Sequence, residues 1–180
     1  MIIKKKFPLF FLLFIMSSAI TCAQNSINFS LHQDFKLLVF GDQLGNRAGT
    51  LDLIARVKYE AKDRPLGFVI YGLEYEKALL ADPYTRLGSF AGFTFMDIFN
   101  DYNFHATSSL GAGFINRKEH TLFSWSASIQ LDYFITSSLK ISVLNQLTER
   151  TDLKVLYGDL KYRYSLFVGL EIRLFGLNKN

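Results

Sequence analysis

Residues 121–147 read TLFSWSASIQLDYFITSSLKISVLNQL. Between Phe123 and Tyr133 every second residue is apolar (Phe123, Trp125, Ala127, Ile129, Leu131, Tyr133), and the residues between them are Ser124, Ser126, Ser128, Gln130 and Asp132. A period of two belongs to a strand with two different faces. After Thr136-Ser137-Ser138 the alternation resumes, with Leu139, Ile141 and Val143 set against Lys140, Ser142 and Gln146. An antiparallel partner therefore follows a short turn, and the fold depends on which solvent each face of this hairpin meets.

Working outward, the chain has 180 residues, and its first 23 have the order of an export signal. Lys4, Lys5 and Lys6 precede an apolar run from Phe7 to Met16, and small residues follow, ending Thr21-Cys22-Ala23. Cleavage is expected before Gln24. The apolar run is shorter than the roughly 20 residues a membrane-spanning helix needs. Three lysines and no acid leave with this segment, so the formal net charge falls from +4 to +1 and the basic pI of about 9.1 belongs largely to the signal. A nucleic-acid partner is not indicated. Cys22 is the one cysteine, so residues 24–180 have no disulfide or thiol chemistry. A lipid-acceptor role for Cys22 stands beside the simple signal, although Ile20-Thr21 matches poorly the small residues expected before such a cysteine. Residues 24–180 suit a single domain.

Further strands are expected from Ile27 to Phe40, Leu51 to Ala61, Leu66 to Lys77, Arg86 to Met96, Asn103 to Ile115 and Tyr162 to Phe175. Leu51, Leu53, Ala55, Val57 and Tyr59 alternate with Asp52, Arg56, Lys58 and Glu60, and Val69, Tyr71, Leu73 and Tyr75 with Gly72, Glu74 and Glu76. The fourth strand carries phenylalanine on both parities (Phe90, then Phe93 and Phe95), and its faces stay unassigned. In the last, Tyr164, Leu166, Val168, Leu170, Ile172 and Leu174 oppose Arg163, Ser165, Phe167, Gly169, Glu171 and Arg173. With the opening hairpin as sixth and seventh, the count is eight, and each strand is long enough to cross a bilayer when tilted. The first, third, fifth and seventh connections read as longer on average (Gly41 to Gly49, Ala78 to Thr85, Asn116 to His120, Arg150 to Lys161). Asp63-Arg64-Pro65, the Asn100 region and Thr136 to Ser138 read as tight turns. Long external loops, short periplasmic turns and both termini inside are the pattern of a transmembrane barrel.

A soluble lipocalin-like carrier also alternates, but turns its apolar face inward. Three features favour lipid outside. The polar face is rich in small residues (Ser124, Ser126, Ser128; Thr107, Ser109, Gly111, Gly113), as the narrow interior of eight strands requires. Aromatics gather at strand ends on the apolar parity (Tyr59, Tyr75, Trp125, Tyr133, Tyr164), as at membrane interfaces. The strands also lack the many Lys and Glu that a soluble barrel offers to water.

On these patterns the chain resembles the small outer-membrane barrels of Gram-negative bacteria, of the OmpX and OmpA transmembrane-domain type. The resemblance implies an eight-stranded antiparallel up-and-down transmembrane β-barrel in the outer membrane, in contact with the lipid bilayer and lipopolysaccharide, inserted by the outer-membrane assembly machinery, and monomeric or weakly associated. Members commonly finish with an aromatic residue, often Phe; here residues 176–180 extend past Phe175, which also has the parity of Arg173 and Glu171.

Asp52, Arg56, Lys58, Glu60, Glu74, Glu76, Asp132, Lys140, Arg163, Glu171 and Arg173 share the polar parity and are expected to point into one lumen. They make either a narrow selective pore or proton path, or a salt-bridged plug in which charges excluded from lipid neutralise one another. A lumen of eight strands is normally packed, which favours the plug. Catalysis finds little support. His32, His105 and His120 have no metal-ligand spacing, and a lipid-modifying hydrolase or acyltransferase would need a serine and histidine at the outer rim, for which only His120 with Ser124 or His105 with Ser109 offer themselves. No nucleotide or calcium motif occurs, and no cofactor is implied. Leu79, Leu80 and Tyr84, and Leu153, Val155, Leu156 and Tyr157, read as strand continuations above the bilayer or as an apolar contact for a partner. A structural or surface-interaction role is expected, without catalysis.

Overall fold

A computed structural model of the chain describes residues 26–42, 45–61, 66–158 and 162–176. The expected export signal and Cys22, the turn residues Asp63 to Pro65, Lys161 and the tail after Gly176 lie outside the described residues.

Eight strands follow one another around a closed barrel, each antiparallel to its sequence neighbours, and the first pairs with the last. They are β1 (Ser26–Asp34), β2 (Asp52–Glu60), β3 (Gly67–Ala78), β4 (Tyr84–Phe95), β5 (Phe104–Arg117), β6 (His120–Phe134), β7 (Leu139–Glu149) and β8 (Tyr162–Gly176). Two short helices, α1 (Phe35–Val39) and α2 (Thr151–Tyr157), lie in the first and seventh connections. Closure leaves no sheet edge, the condition a β-structure must meet in lipid, where unpaired peptide groups find no water.

Side-chain polarity decides the solvent. On β6, Ile129 is 58% exposed, whereas Ser128 beside it is 6%. Around the barrel Val57, Leu73, Leu87, Leu110, Val168 and Leu170 all stand outside, while Arg56, Glu74, Arg86 and Glu171 are buried within. A soluble barrel would be turned the other way, so the lipocalin-like alternative is excluded and the outer surface is lipid-facing.

β4, whose faces the sequence left open, places Tyr84, Arg86, Phe90 and Thr94 inward, and Phe93 and Phe95 outward. Phe90 lies inside because the Arg56 guanidinium stacks on its ring at 4.8 Å, a cation–π contact that gives an aromatic a place among charges.

Three expectations need correction. β1 stops at Asp34 and does not run to Phe40: the Asp34 carboxylate accepts a hydrogen bond from the Leu37 amide at 3.0 Å and starts α1, so an N-cap outweighs the extended tendency of the apolar run that follows. The fifth connection is not a longer loop, because β5 extends through Arg117 and β6 begins at His120; residues 118 and 119 turn the chain, with Lys118 at a positive φ of 53°. The fourth connection, 96–103, is longer than the fifth and contains a 3-10 turn at Ile98–Asn100. Long connections are therefore confined to the first and seventh.

A register shift between Ile27 and Asn28 resolves the parity of Phe175. Asn28 pairs with Arg173 and Ile27 with Phe175, so Leu174 is a bulge residue and Phe175 shares the outward face of Ile27.

Candidate lumen network and external vestibule

The strand register brings ten of the eleven sequence-predicted residues into one interior column. Arg56 faces Glu74 across β2 and β3, and Lys140 faces Glu171 across β7 and β8. Arg173, by contrast, is exposed at the end of β8 and takes no part in the ion pairs of the described residues.

At the end of the barrel where β1 starts and β8 finishes, two lysines meet three carboxylates. Lys58 Nζ lies 2.8 Å from Glu171 and 3.3 Å from Glu60, with Asp132 at 4.0 Å. Lys140 Nζ lies 3.1 Å from Glu60 and 2.8 Å from Glu171, and its ammonium sits 4.7 Å from the Phe134 ring centre. Gln130 donates to Asp132 at 2.7 Å and to Glu171 at 3.3 Å. Ser26 donates to Glu60 at 2.6 Å, tying the start of β1 to the cluster.

At mid-height the hub is Glu74. It accepts from Arg56 Nε at 2.6 Å, pairs with Arg86, and accepts from Gln146 at 3.0 and 3.2 Å. Arg86 also donates to Ser126 Oγ at 3.0 Å, and Arg56 to Gln130 Oε1 at 3.3 Å. A carboxylate bonded by two guanidiniums and an amide satisfies its lone pairs without water.

At the opposite end Arg163 donates to Asp52 at 2.5 Å, Asp34 at 3.0 Å and the Tyr84 hydroxyl at 2.7 Å. The Tyr84 hydroxyl in turn donates a hydrogen bond to Glu76 Oε1. Arg150 stacks on the Tyr84 ring at 4.0 Å and grips Asp152 through two bonds of 2.8 Å; Arg117 approaches the same carboxylate at 3.1 Å. Burial alone would push Asp152 up, but the Arg150 hydrogen bonds and the charges of Arg150 and Arg117 outweigh it and hold this carboxyl below its usual range.

Above this layer a cavity of about 670 Å3 opens among α1, α2 and the connection between β3 and β4, with Arg117, Arg150 and Arg163 beneath walls that include Leu37, Leu80 and Leu153. Leu80 packs against Tyr84 and Ile115, and Tyr84 itself belongs to the strand interior; Leu79 and Val155 are exposed.

Several members of the network escaped the sequence. Arg86 became assignable only with the faces of β4, and Arg117 only once β5 extended past Ile115, though it continues the parity of Gly111 and Gly113. Asp34 closes β1 on the inward parity of Ser30 and His32, in a stretch whose alternation was imperfect, while Arg150 and Asp152 sit at the start of α2, beyond the end of β7.

The two serine–histidine pairings considered for catalysis are not made. Ser109 bonds Ser128 at 2.7 Å, Ser124 donates to the Glu149 carbonyl, and His105 packs on Phe68 and Phe134. His32 instead reaches Ser142, with Nε2 and Oγ 2.7 Å apart, and its Nδ1 meets no hydrogen-bond partner among the described residues. A catalytic base would have that nitrogen oriented by a third group.

A closed barrel of eight antiparallel strands, lipid-facing outside and ion-paired within, defines a small transmembrane β-barrel. No family model matches the chain, and no curated protein matches it significantly. Among solved structures, the outer membrane protein Ail of Yersinia pestis in a phospholipid bilayer nanodisc aligns over 85% of this chain and 100% of its own, at 14% identity and a TM-score of 0.55. A crystal structure of Ail, the attachment invasion locus protein of the same organism, aligns over 84% and 99% at 11% identity and TM-score 0.46. Neisserial surface protein A aligns over 84% and 97% at 9% identity and TM-score 0.42. At such identities the likeness is one of fold, and the first comparison carries it.

Proposed function

We propose that this chain is a plugged outer-membrane barrel with a structural or surface-interaction role and no catalytic activity, exported by residues 1–23 and inserted by the outer-membrane assembly machinery. The observation that carries this reading is the stacking of ion pairs at three heights, from Lys58 and Lys140 through Glu74 to Arg163, which occupies the lumen that a conducting path would need. Buried charges with their partners in place are poor carriers of ions, because each would have to be separated from its counter-charge for an ion to pass. The outward apolar surface meets lipid, and lipopolysaccharide in the outer leaflet. The external vestibule between α1 and α2 is the part of the molecule shaped to meet something from outside the cell.

Reconstitution into planar bilayers tests the reading. The barrel is expected to insert, judged by a shift in mobility between unboiled and boiled samples, and to give no discrete conductance steps. Regular steps from the folded protein would replace the plug with a pore.

A further inference from the structure

Among the described residues, the outward face carries an amide, Asn145, near the middle of β7. Ile129 lies midway along β6 between the aromatic levels of Trp125 and Tyr133, and the register sets it beside Asn145 of β7, which in turn lies beside Leu166 of β8. Asn145 has the outward parity of Ile141, Val143 and Leu147. Its Oδ1 accepts from the Tyr164 hydroxyl at 2.5 Å. Tyr164 sits beside Leu147, nearer the outer end, so its polar tip reaches down into the membrane, away from the interface where such tips usually rest. The two N–H donors of Asn145 make no hydrogen bond among the described residues. Ser108, beside Ile129 on β5, also faces outward at this level.

Hydrocarbon holds neither water nor ester carbonyls, so these donors stay unsatisfied unless another protein surface supplies an acceptor. A carboxamide is both donor and acceptor, and Oδ1 keeps a second lone pair. Two such groups meeting at a twofold axis satisfy each other, and a twofold pair uses the same patch on both copies. The surroundings suit close approach: Ala127, Ile129, Val143, Leu166 and Val168 flank Asn145, and between the aromatic levels no charged residue of β6, β7 or β8 points outward.

We propose that two copies of this chain pair in the membrane through the outer faces of β6, β7 and β8, with the Asn145 side chains hydrogen-bonded to each other at the twofold axis. The contact leaves the lumen untouched and sets two external vestibules side by side.

Sedimentation equilibrium of the folded full chain in density-matched detergent tests this. The protein is expected to show a reversible monomer–dimer equilibrium, and Asn145→Leu, which removes both reciprocal amide hydrogen bonds of the pair, to raise the dissociation constant about tenfold, the scale of two average intramembrane side-chain hydrogen bonds. Ile129→Trp, which sets a bulky ring at the centre of the contact, is expected to abolish pairing. Unboiled gel mobility establishes that each variant is folded. A protein that stays monomeric at the highest protein-to-detergent ratio overturns the proposal, as does an Asn145→Leu variant that pairs as tightly as the parent. Should Asn145→Leu fail to fold, Ile129→Trp decides alone: undiminished pairing overturns the proposal.

Discussion

His32 on β1 and Ser142 on β7 are not on adjacent strands, yet Nε2 and Oγ stand 2.7 Å apart. The strand between them is β8, and the residue beneath the contact is Gly169, paired with His32 on one side and Ser142 on the other. The bond therefore crosses the seam where the first and last strands close the barrel. A Cβ on Gly169 would lie 2.1 Å from the Leu31 carbonyl oxygen and 2.7 Å from His32 Cδ2. Gly169→Ala is expected to destabilise the barrel by about 1 to 3 kcal/mol through overpacking. Ser142→Ala, which only removes the bond, is expected to cost about 1 kcal/mol. Urea unfolding in lipid vesicles measures both.

Glu74 neutralises two arginines at once, and neither has another carboxylate within ion-pairing range among the described residues. Glu74→Ala leaves Arg56 and Arg86 buried without a counter-charge and is expected to cost about 3 to 5 kcal/mol. Where the variant still folds, water drawn in to solvate the guanidiniums is expected to produce an anion-selective leak that the parent lacks. Bilayer recording checks the leak, and vesicle unfolding checks the stability.

Asp152 ties α2 to the barrel mouth, and its folded-state pKa is lowered from the ordinary carboxylate value. The sign follows: its contribution is fully present above the unfolded carboxylate pKa and is lost as pH falls through the depressed folded value. Amide protection across residues 151–158 is expected to be constant near neutral pH and to collapse only in strong acid. Asp152→Asn should lower protection already at pH 7, which hydrogen exchange would detect.

Ile129 and Ser126 lie on opposite faces of one strand, and each has a different solvent. Ile129→Arg puts a charge at the level of deepest hydrocarbon and is expected to cost about 2 to 4 kcal/mol in lipid. Ser126→Ala removes an acceptor for Arg86, which retains Glu74, and is expected to cost about 1 kcal/mol. Vesicle unfolding of the two variants side by side measures the difference.

The period-two alternation of residues 121–147 made the barrel legible, because a strand with one face in lipid and one in a lumen must alternate. The same parity located Asp52, Arg56, Lys58, Glu60, Glu74, Glu76, Asp132, Lys140, Arg163 and Glu171 in the interior. It did not foresee that Arg173, which keeps the parity of Glu171 and pairs with the inward Asn28, lies exposed near the end of β8, and it left β4 unassigned, where Phe90 is held inside by Arg56. Which charges meet was not legible at all. Glu74 finds Gln146 across the lumen, and Lys58 finds Glu171, through the barrel's curvature and the length of their side chains. The vestibule was equally hidden, since it depends on Asp34 ending a strand and Arg150 seating a helix through Asp152.

The inside-out polarity is tested most directly by refolding the purified chain from urea into plain buffer and into detergent micelles, followed by far-ultraviolet circular dichroism and unboiled gel mobility. The account predicts sheet signal and a heat-modifiable band with detergent alone, and aggregation without it. A folded monomer in plain buffer would contradict it, because the belt of Leu73, Leu110, Ile129 and Leu170 would then face water with no lipid to cover it.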